Sequence, residues 1–218
     1  VAIGDGGNPP TRLNGDFIRK QAQNLNSHLG KVVRLNDDGS IPKDNPFAAS
    51  DNADAAIYSY GHRNIQGMTL DSANNRLWST EHGSRGGDEL NLVEAGKNYG
   101  WPLVTHSKEY TGGEISSERS RSGMIDPKVV WTPAIAPSGL AFYSGDRFAA
   151  WQGDLFAGGL VTGDVRRIDL DANGNVIKEE SIPIGRRVRD VRQSPDGGLY
   201  VLTDEQDGQL ITIEPTQS

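Results

Sequence analysis

Short runs of alternating apolar and polar residues, each broken by a Gly-containing turn, recur along the chain. KVVRLNDDGSI (31–41) alternates and turns at Asp38-Gly39, and DVRRIDLDANGNVI (164–177) repeats the plan with a turn at Asn173-Gly174. Period-two alternation places successive side chains on opposite faces of a strand. Asn-Gly and Asp-Gly tolerate the positive φ of a tight turn, so both segments are predicted hairpins. A longer unit also recurs. GMTLDSANNRLWSTEHG starts at Gly67, GLAFYSGDRFAAWQGDLFAGGL at Gly139 and VRDVRQSPDGGLYVLTD at Val188. Each reads strand, polar turn, strand, and GQLITIEP follows the last as one more strand.

A degenerate repeat of about 45 to 70 residues suits four-stranded propeller blades carrying insertions. The expected fold is therefore all-β, a β-propeller of which this chain covers roughly three to four blades. Three units are complete in this reading, and VAIGDGG at the start is the end of a strand from an earlier one. Propellers hold about four to eight blades, so the count predicts most of the second half of a larger propeller. A chain that opens in mid-strand on Val1 is expected to be processed or incomplete. The alternative is a twisted multi-sheet β domain of another kind. Residues 94–121 are the least strand-like and are predicted to be a long excursion between blades, within one domain spanning 1–218.

Composition narrows the chemistry. The 27 glycines suit many tight turns better than a helical bundle. A net charge of -7 argues against nucleic acid or an anionic membrane as the main partner. Cysteine is absent, which excludes disulfides, thiolate metal sites and a cysteine nucleophile. No stretch approaches the roughly 18 apolar residues of a membrane span.

Polar groups cluster where strands start and end. Arg63 and Asn64 precede a strand; a guanidinium beside a carboxamide can hold a planar, oxygen-rich anion or can satisfy loop carbonyls. Arg187 and Arg189, two apart, share one face of a strand, whereas Arg186 lies on the other with Val188. Two adjacent guanidiniums need an anion between them, either Asp190 or Asp204 or a ligand with several carboxylates. The turn Gly83-Ser84-Arg85-Gly86-Gly87-Asp88-Glu89 offers carbonyls and carboxylates to a hard cation such as calcium, or is a plain acidic loop. Asp5 ends the first strand and can orient a base, bind a cation or cap its own turn. His28, His62, His82 and His106 show no helical zinc spacing, and no nucleophile elbow, P-loop or dinucleotide fingerprint is present.

GHRNIQG, EHGSRGGDELN, GKNYGWP, GKVVRLNDDGSIPKDNPF and RRVRDVRQSPDGGLYVLTD together resemble the soluble quinoprotein sugar dehydrogenases, the glucose/sorbosone dehydrogenase family, and most closely its aldose sugar dehydrogenase branch. The resemblance covers nearly the whole chain. It implies a six-bladed propeller with pyrroloquinoline quinone (PQQ) near the axis and calcium against the quinone. It implies that Arg63, Asn64, Arg187 and Arg189 contact the cofactor and that the main chain of Gly83 and Ser84 binds its calcium. A second, structural calcium would use Asp88, Glu89 and Tyr99. The implied oxidoreductase removes hydride from C1 of an aldose, forms a lactone, and is reoxidised by an external electron acceptor in the periplasm or outside the cell. Asp5 matches the aspartate that braces the family's catalytic histidine, which would lie upstream of Val1. None of the four histidines present matches that base. Val161 stands where the family often has a lysine contacting the cofactor, and Ser84 where it often has proline. Two other functions are weighed: a propeller fragment that binds calcium with sugar or PQQ but does not turn over, and a calcium-dependent lactonase-like propeller.

Overall fold

The computed structural model describes residues 1–7 and 11–215. Four antiparallel sheets follow one another along the chain. The first joins β1 (Ala2–Ile3), β4 (Lys31–Val33) and β5 (Ile57–Tyr60). The second runs β6 (Ile65–Asp71), β7 (Arg76–Glu81), β8 (Asp88–Val93) and β9 (Val129–Trp131). The third runs β10 (Pro137–Phe142), β11 (Leu155–Gly159), β12 (Asp164–Leu170) and β13 (Val176–Pro183). The fourth runs β14 (Val188–Gln193), β15 (Leu199–Thr203) and β16 (Leu210–Ile213). A two-stranded ribbon of β2 (Arg12–Leu13) and β3 (Asp16–Phe17) stands apart. Each sheet is an up-and-down meander, the blade of a propeller. Among the described residues no helix is long and apolar enough to cross a membrane.

The sheets stack face to face through apolar layers. Trp78, Leu90, Leu140, Leu155 and Ile168 fill the space between the second and third sheets. Ala141, Tyr143, Phe156, Val191 and Val201 fill the next. Burying each large apolar side chain stabilises by about 1.5–3 kcal/mol. The first strands of successive sheets lie side by side, and glycine permits their approach. A Cβ on Gly139 would fall 1.7 Å from Asp190 Oδ1, and one on Gly67 would fall 2.5 Å from the Ser138 carbonyl. Ser138 Oγ donates to the Val188 carbonyl (2.7 Å), stitching β10 to β14.

Two sheets have four strands and the flanking two have three, where three complete units and a tail were expected. The hairpin expected at 164–177 forms, as β12 and β13. The one expected at 31–41 does not. Its turn closes, with Asn36 N–H donating to Ser40 O, but β4 pairs with the distant β5. Between Val93 and Val129 the chain makes isolated bridges and no named strand.

The meander puts the starts of β6, β10 and β14 at the same end as the ends of β1, β7, β11 and β15. Asp5, Arg63–Asn64, the 82–88 turn, Val161, Arg187 and Asp204 all belong to that end.

Candidate functional site

Arg63 is the centre of the arrangement and is only 6% exposed. Its backbone N–H donates to Glu81 Oε2 (2.7 Å). Its guanidinium donates to Ser84 Oγ (3.1 Å), the His82 carbonyl (3.0 Å) and Tyr110 OH (3.2 Å). A guanidinium has five N–H groups, so two are left for another acceptor among the described residues. Loop satisfaction and ligand binding, the two readings of this residue, are thus compatible. Asn64 Oδ1 accepts from Gln66 (3.0 Å), and its amide nitrogen has no partner among the described residues. Arg63, Asn64 and the Gly4–Asp5–Gly6–Gly7 turn line a cavity of about 390 Å³.

Asp5 is 5% exposed. Gly7 N–H donates to its Oδ1 (2.9 Å), the turn cap its position suggested. Trp101 Nε1 donates to its Oδ2 (2.6 Å). Asp5 N–H donates to the Arg63 carbonyl (2.9 Å), which joins the first sheet to the second at this end.

The 82–88 turn is built on glycine: a Cβ on Gly83 would fall 2.1 Å from the Gly86 carbonyl. Gly83 N–H donates to Asp88 Oδ1 (2.8 Å) and Ser84 N–H to Ser107 Oγ (3.0 Å). The carbonyls of Gly83 and Ser84 accept no hydrogen bond among the described residues. They are the right donor type for a hard cation.

Beneath the turn lies a small pocket lined by Glu81, Glu89, Gly83, Tyr99 and Trp101, among others. Its interior, about 10 Å³, admits one water-sized occupant. Glu81 and Glu89 face each other across β7 and β8. Burial, and after it the facing Glu81, push Glu89 up to about 8, against the Asn91 amide. Burial also acts against the charge on Glu81, but His62 and the N–H groups of Arg63 and Asn64 outweigh it and hold Glu81 below the usual carboxylate range. Asn91 Oδ1 is buried with no partner. Two opposed carboxylates around one small void fit a cation. Asp88 does not point there: its oxygens accept from Gly83 N–H and Ala136 N–H, both at 2.8 Å. The Tyr99 hydroxyl also turns away, donating to the Leu92 carbonyl (2.5 Å), which leaves the Tyr99 carbonyl, unpaired among the described residues, as the available ligand. Among the described residues no three His, Cys, Asp or Glu side chains converge, so a cation here would rest on two carboxylates and main-chain oxygens.

Arg187 and Arg189 both donate to Asp204, with shortest approaches of 3.1 and 2.9 Å. Asp190 pairs with Arg192 instead (3.3 Å). The two guanidiniums stay largely exposed, and together they hold Asp204 below the usual carboxylate range, Arg189 contributing most. His82 connects the two cationic groups. Its Nε2 is 2.7 Å from the Pro137 carbonyl, and burial, then the charges of Arg63 and Arg189, lower its pKa against the pull of Asp88. Val161 is 67% exposed at the same end.

Three contributors escaped the sequence reading. Glu81 carries the Arg63 backbone, and His62 joins Glu81 (3.1 Å) to Ser59 (2.8 Å) in a buried relay. Trp101 holds Asp5. Glu81 and Trp101 lie inside EHGSRGG and GKNYGWP, but only the fold brings them to Arg63 and Asp5.

The fold is a blade-built propeller that gathers arginines, a carboxamide and unpaired carbonyls at one end. Comparison makes this specific. The family model for glucose/sorbosone dehydrogenase matches residues 1–212, and the chain belongs to that family. It is 60% identical over 215 residues to the uncharacterized protein slr1608 of Synechocystis sp., covering 98% of this chain and 52% of that protein. It is 44% identical over 220 residues to aldose sugar dehydrogenase YliI of Escherichia coli, covering 99% and 56%. The chain therefore spans about half the length of these relatives. Among solved structures, the apo-form of soluble aldose sugar dehydrogenase from Escherichia coli superposes with a TM-score of 0.87 at 42% identity, over 97% of this chain and 59% of that one. The PQQ-bound aldose sugar dehydrogenase of Streptomyces coelicolor gives 0.70 at 30% identity, over 92% and 55%.

Proposed function

We propose that the intact protein is a PQQ- and calcium-dependent dehydrogenase that oxidises aldoses at C1 to lactones. The observation that carries this is the cavity formed by Arg63, Asn64 and the Asp5 turn, with its spare donors, beside the unused carbonyls of Gly83 and Ser84. The PQQ-bound relative supports it. Arg63, Asn64, Arg187 and Arg189 would hold the carboxylates of PQQ, and Gly83 and Ser84 its calcium. Glu89, with Glu81 and the Tyr99 carbonyl, would hold a structural calcium, while Asp88 shapes the loop. When bound, PQQ with calcium supplies a polarised two-electron acceptor for hydride from C1. Asp5 orients the base that takes the C1 hydroxyl proton.

None of the described histidines touches Asp5. His62 is locked to Glu81, His82 to Pro137 and His28 to Asp54 (2.9 Å). On this reading the base is the family's histidine, a role that none of the described histidines fills. An external electron acceptor would complete the cycle, and the family's place in the periplasm or outside the cell would apply here. The same lack of a base, with Val161 in place of lysine, motivates the second reading, a propeller that binds without turnover.

Titrating the metal-stripped intact protein with PQQ and calcium, then adding an aldose, tests the choice. Aldose-dependent bleaching of the oxidised quinone spectrum is expected. Binding without reduction would favour the non-catalytic reading, and lactone hydrolysis without PQQ would replace both.

A further inference from the structure

Trp101 is fixed on every side. Its N–H donates to the Gly61 carbonyl (2.9 Å) and its own carbonyl accepts from Gln23 Nε2 (2.7 Å). The guanidiniums of Arg63 and Arg19 lie 5.6 and 5.9 Å from its ring. Arg19 is itself held, by Glu109 at 2.7 Å and over the ring of Phe17 at 4.7 Å. An indole has one donor and no acceptor, and this one is spent on Asp5 Oδ2 at 2.6 Å, with both residues 5% exposed. Gly7 N–H takes the other oxygen. Among the described residues each oxygen of this buried carboxylate has one donor, one of them an immobilised ring, so its rotation is fixed.

Resting on the dehydrogenase reading, we infer that Trp101 is a positioning residue for the oxidation: its indole N–H sets the orientation of Asp5, and through Asp5 that of the base. Trp101 also lines the acidic pocket, so one side chain joins that pocket to Asp5. A neutral spacer would not need this geometry. Any large apolar residue would fill the volume, but only a donor at this point of the ring holds Oδ2.

Trp101→Phe in the intact protein keeps an aromatic ring near the two guanidiniums and removes the donor. Its kcat should fall about 10–100-fold, as for other residues that orient a reacting group through a partner, with KM and PQQ affinity within about two-fold of wild type. Trp101→His, which restores a ring N–H, should recover part of the loss. A second arm needs no cofactor or turnover. In the apo-protein the indole N–H resonance of Trp101 should be strongly protected from exchange, and Asp5→Ala should abolish that protection while Asp5→Asn largely keeps it. Wild-type kcat in Trp101→Phe overturns the inference, as does a kcat loss matched by equal losses of PQQ affinity and Tm. If wild type oxidises no aldose, the dehydrogenase reading fails by itself. The resonance arm then decides the Asp5–Trp101 link, and protection unchanged in Asp5→Ala rejects it.

Discussion

Ala136 sits at φ 51, in the left-handed region, just before β10 at the functional end. A Cβ in that conformation costs about 1–2 kcal/mol. The strain is held in place by Asp88, whose Oδ2 accepts the Ala136 N–H at 2.8 Å while Oδ1 accepts that of Gly83. Asp88 thus locks the cation-ready turn to the start of the next blade. Ala136→Gly keeps that hydrogen bond and relieves the strain, and it should stabilise the protein by about 0.5–1 kcal/mol after the flexibility gained by the unfolded chain is counted. Urea unfolding of the two proteins measures it; equal or lower stability for the glycine variant would show that no strain is stored there. At this scale the sequence spoke clearly where a motif is contiguous. Arg63 and Asn64 are neighbours, as are Gly83 and Ser84, so local chemistry flags them while leaving loop satisfaction open, and their cofactor roles come from the family resemblance. It was silent on His62 with Glu81 and on Asp5 with Trp101, because these pairs are 19 and 96 residues apart and meet only through blade packing.

Among the elements, β4 shows how alternation misleads. Lys31 opens KVVRL, and a lysine at a strand start is ordinarily solvent-facing. It is instead fully buried, because the short 3-10 turn Ile18–Gln23 folds over it. Its amine donates to the carbonyls of Gln21, Ala22 and Leu29 at 2.8–2.9 Å, tying that turn, which carries Arg19 and Gln23, to the first sheet. The hairpins with their turns in sequence, such as β12–β13, were legible; β4–β5 was not, since an intervening loop hides the pairing. Burial pushes Lys31 down to about 8 from 10.5. The sign follows from proton counting. Between these values the unfolded chain holds the proton and the folded chain does not, so stability rises with pH across that window. A contribution of about 3 kcal/mol is present above the upper value and is lost as pH falls through the lower one. Urea midpoints of wild type and Lys31→Met, followed from pH 7.5 to 10.5, should show an upward trend in wild type that the variant lacks. Parallel curves would mean that the amine keeps its proton in the fold.

Across the whole molecule, the acidic pocket is where the first and second sheets and the 94–121 excursion converge. Gly61, Glu81, Glu89, Tyr99 and Ser107 all line it. Two carboxylates facing each other would repel if both were charged; Glu81 faces Glu89 directly, and burial with that repulsion keeps Glu89 protonated in the empty pocket up to about pH 8. Filling the pocket with a divalent cation would turn that repulsion into attraction and clamp three segments together. Such binding stabilises by about 2.7 kcal/mol at a hundred-fold excess over Kd. Glu89→Gln separates the two effects, because it removes from the empty pocket a carboxyl that must be kept protonated, and from the filled one a ligand. In chelator the variant should melt above wild type. In millimolar calcium the order should reverse, with wild type gaining several degrees and the variant little. Thermal unfolding of the intact protein in both buffers reads this directly. A variant that melts below wild type in both buffers would make Glu89 an ordinary structural carboxylate. A variant above wild type in both would leave the pocket as buried repulsion that no cation relieves. Only the crossing of the two curves identifies the pocket as a metal site that holds the blades together.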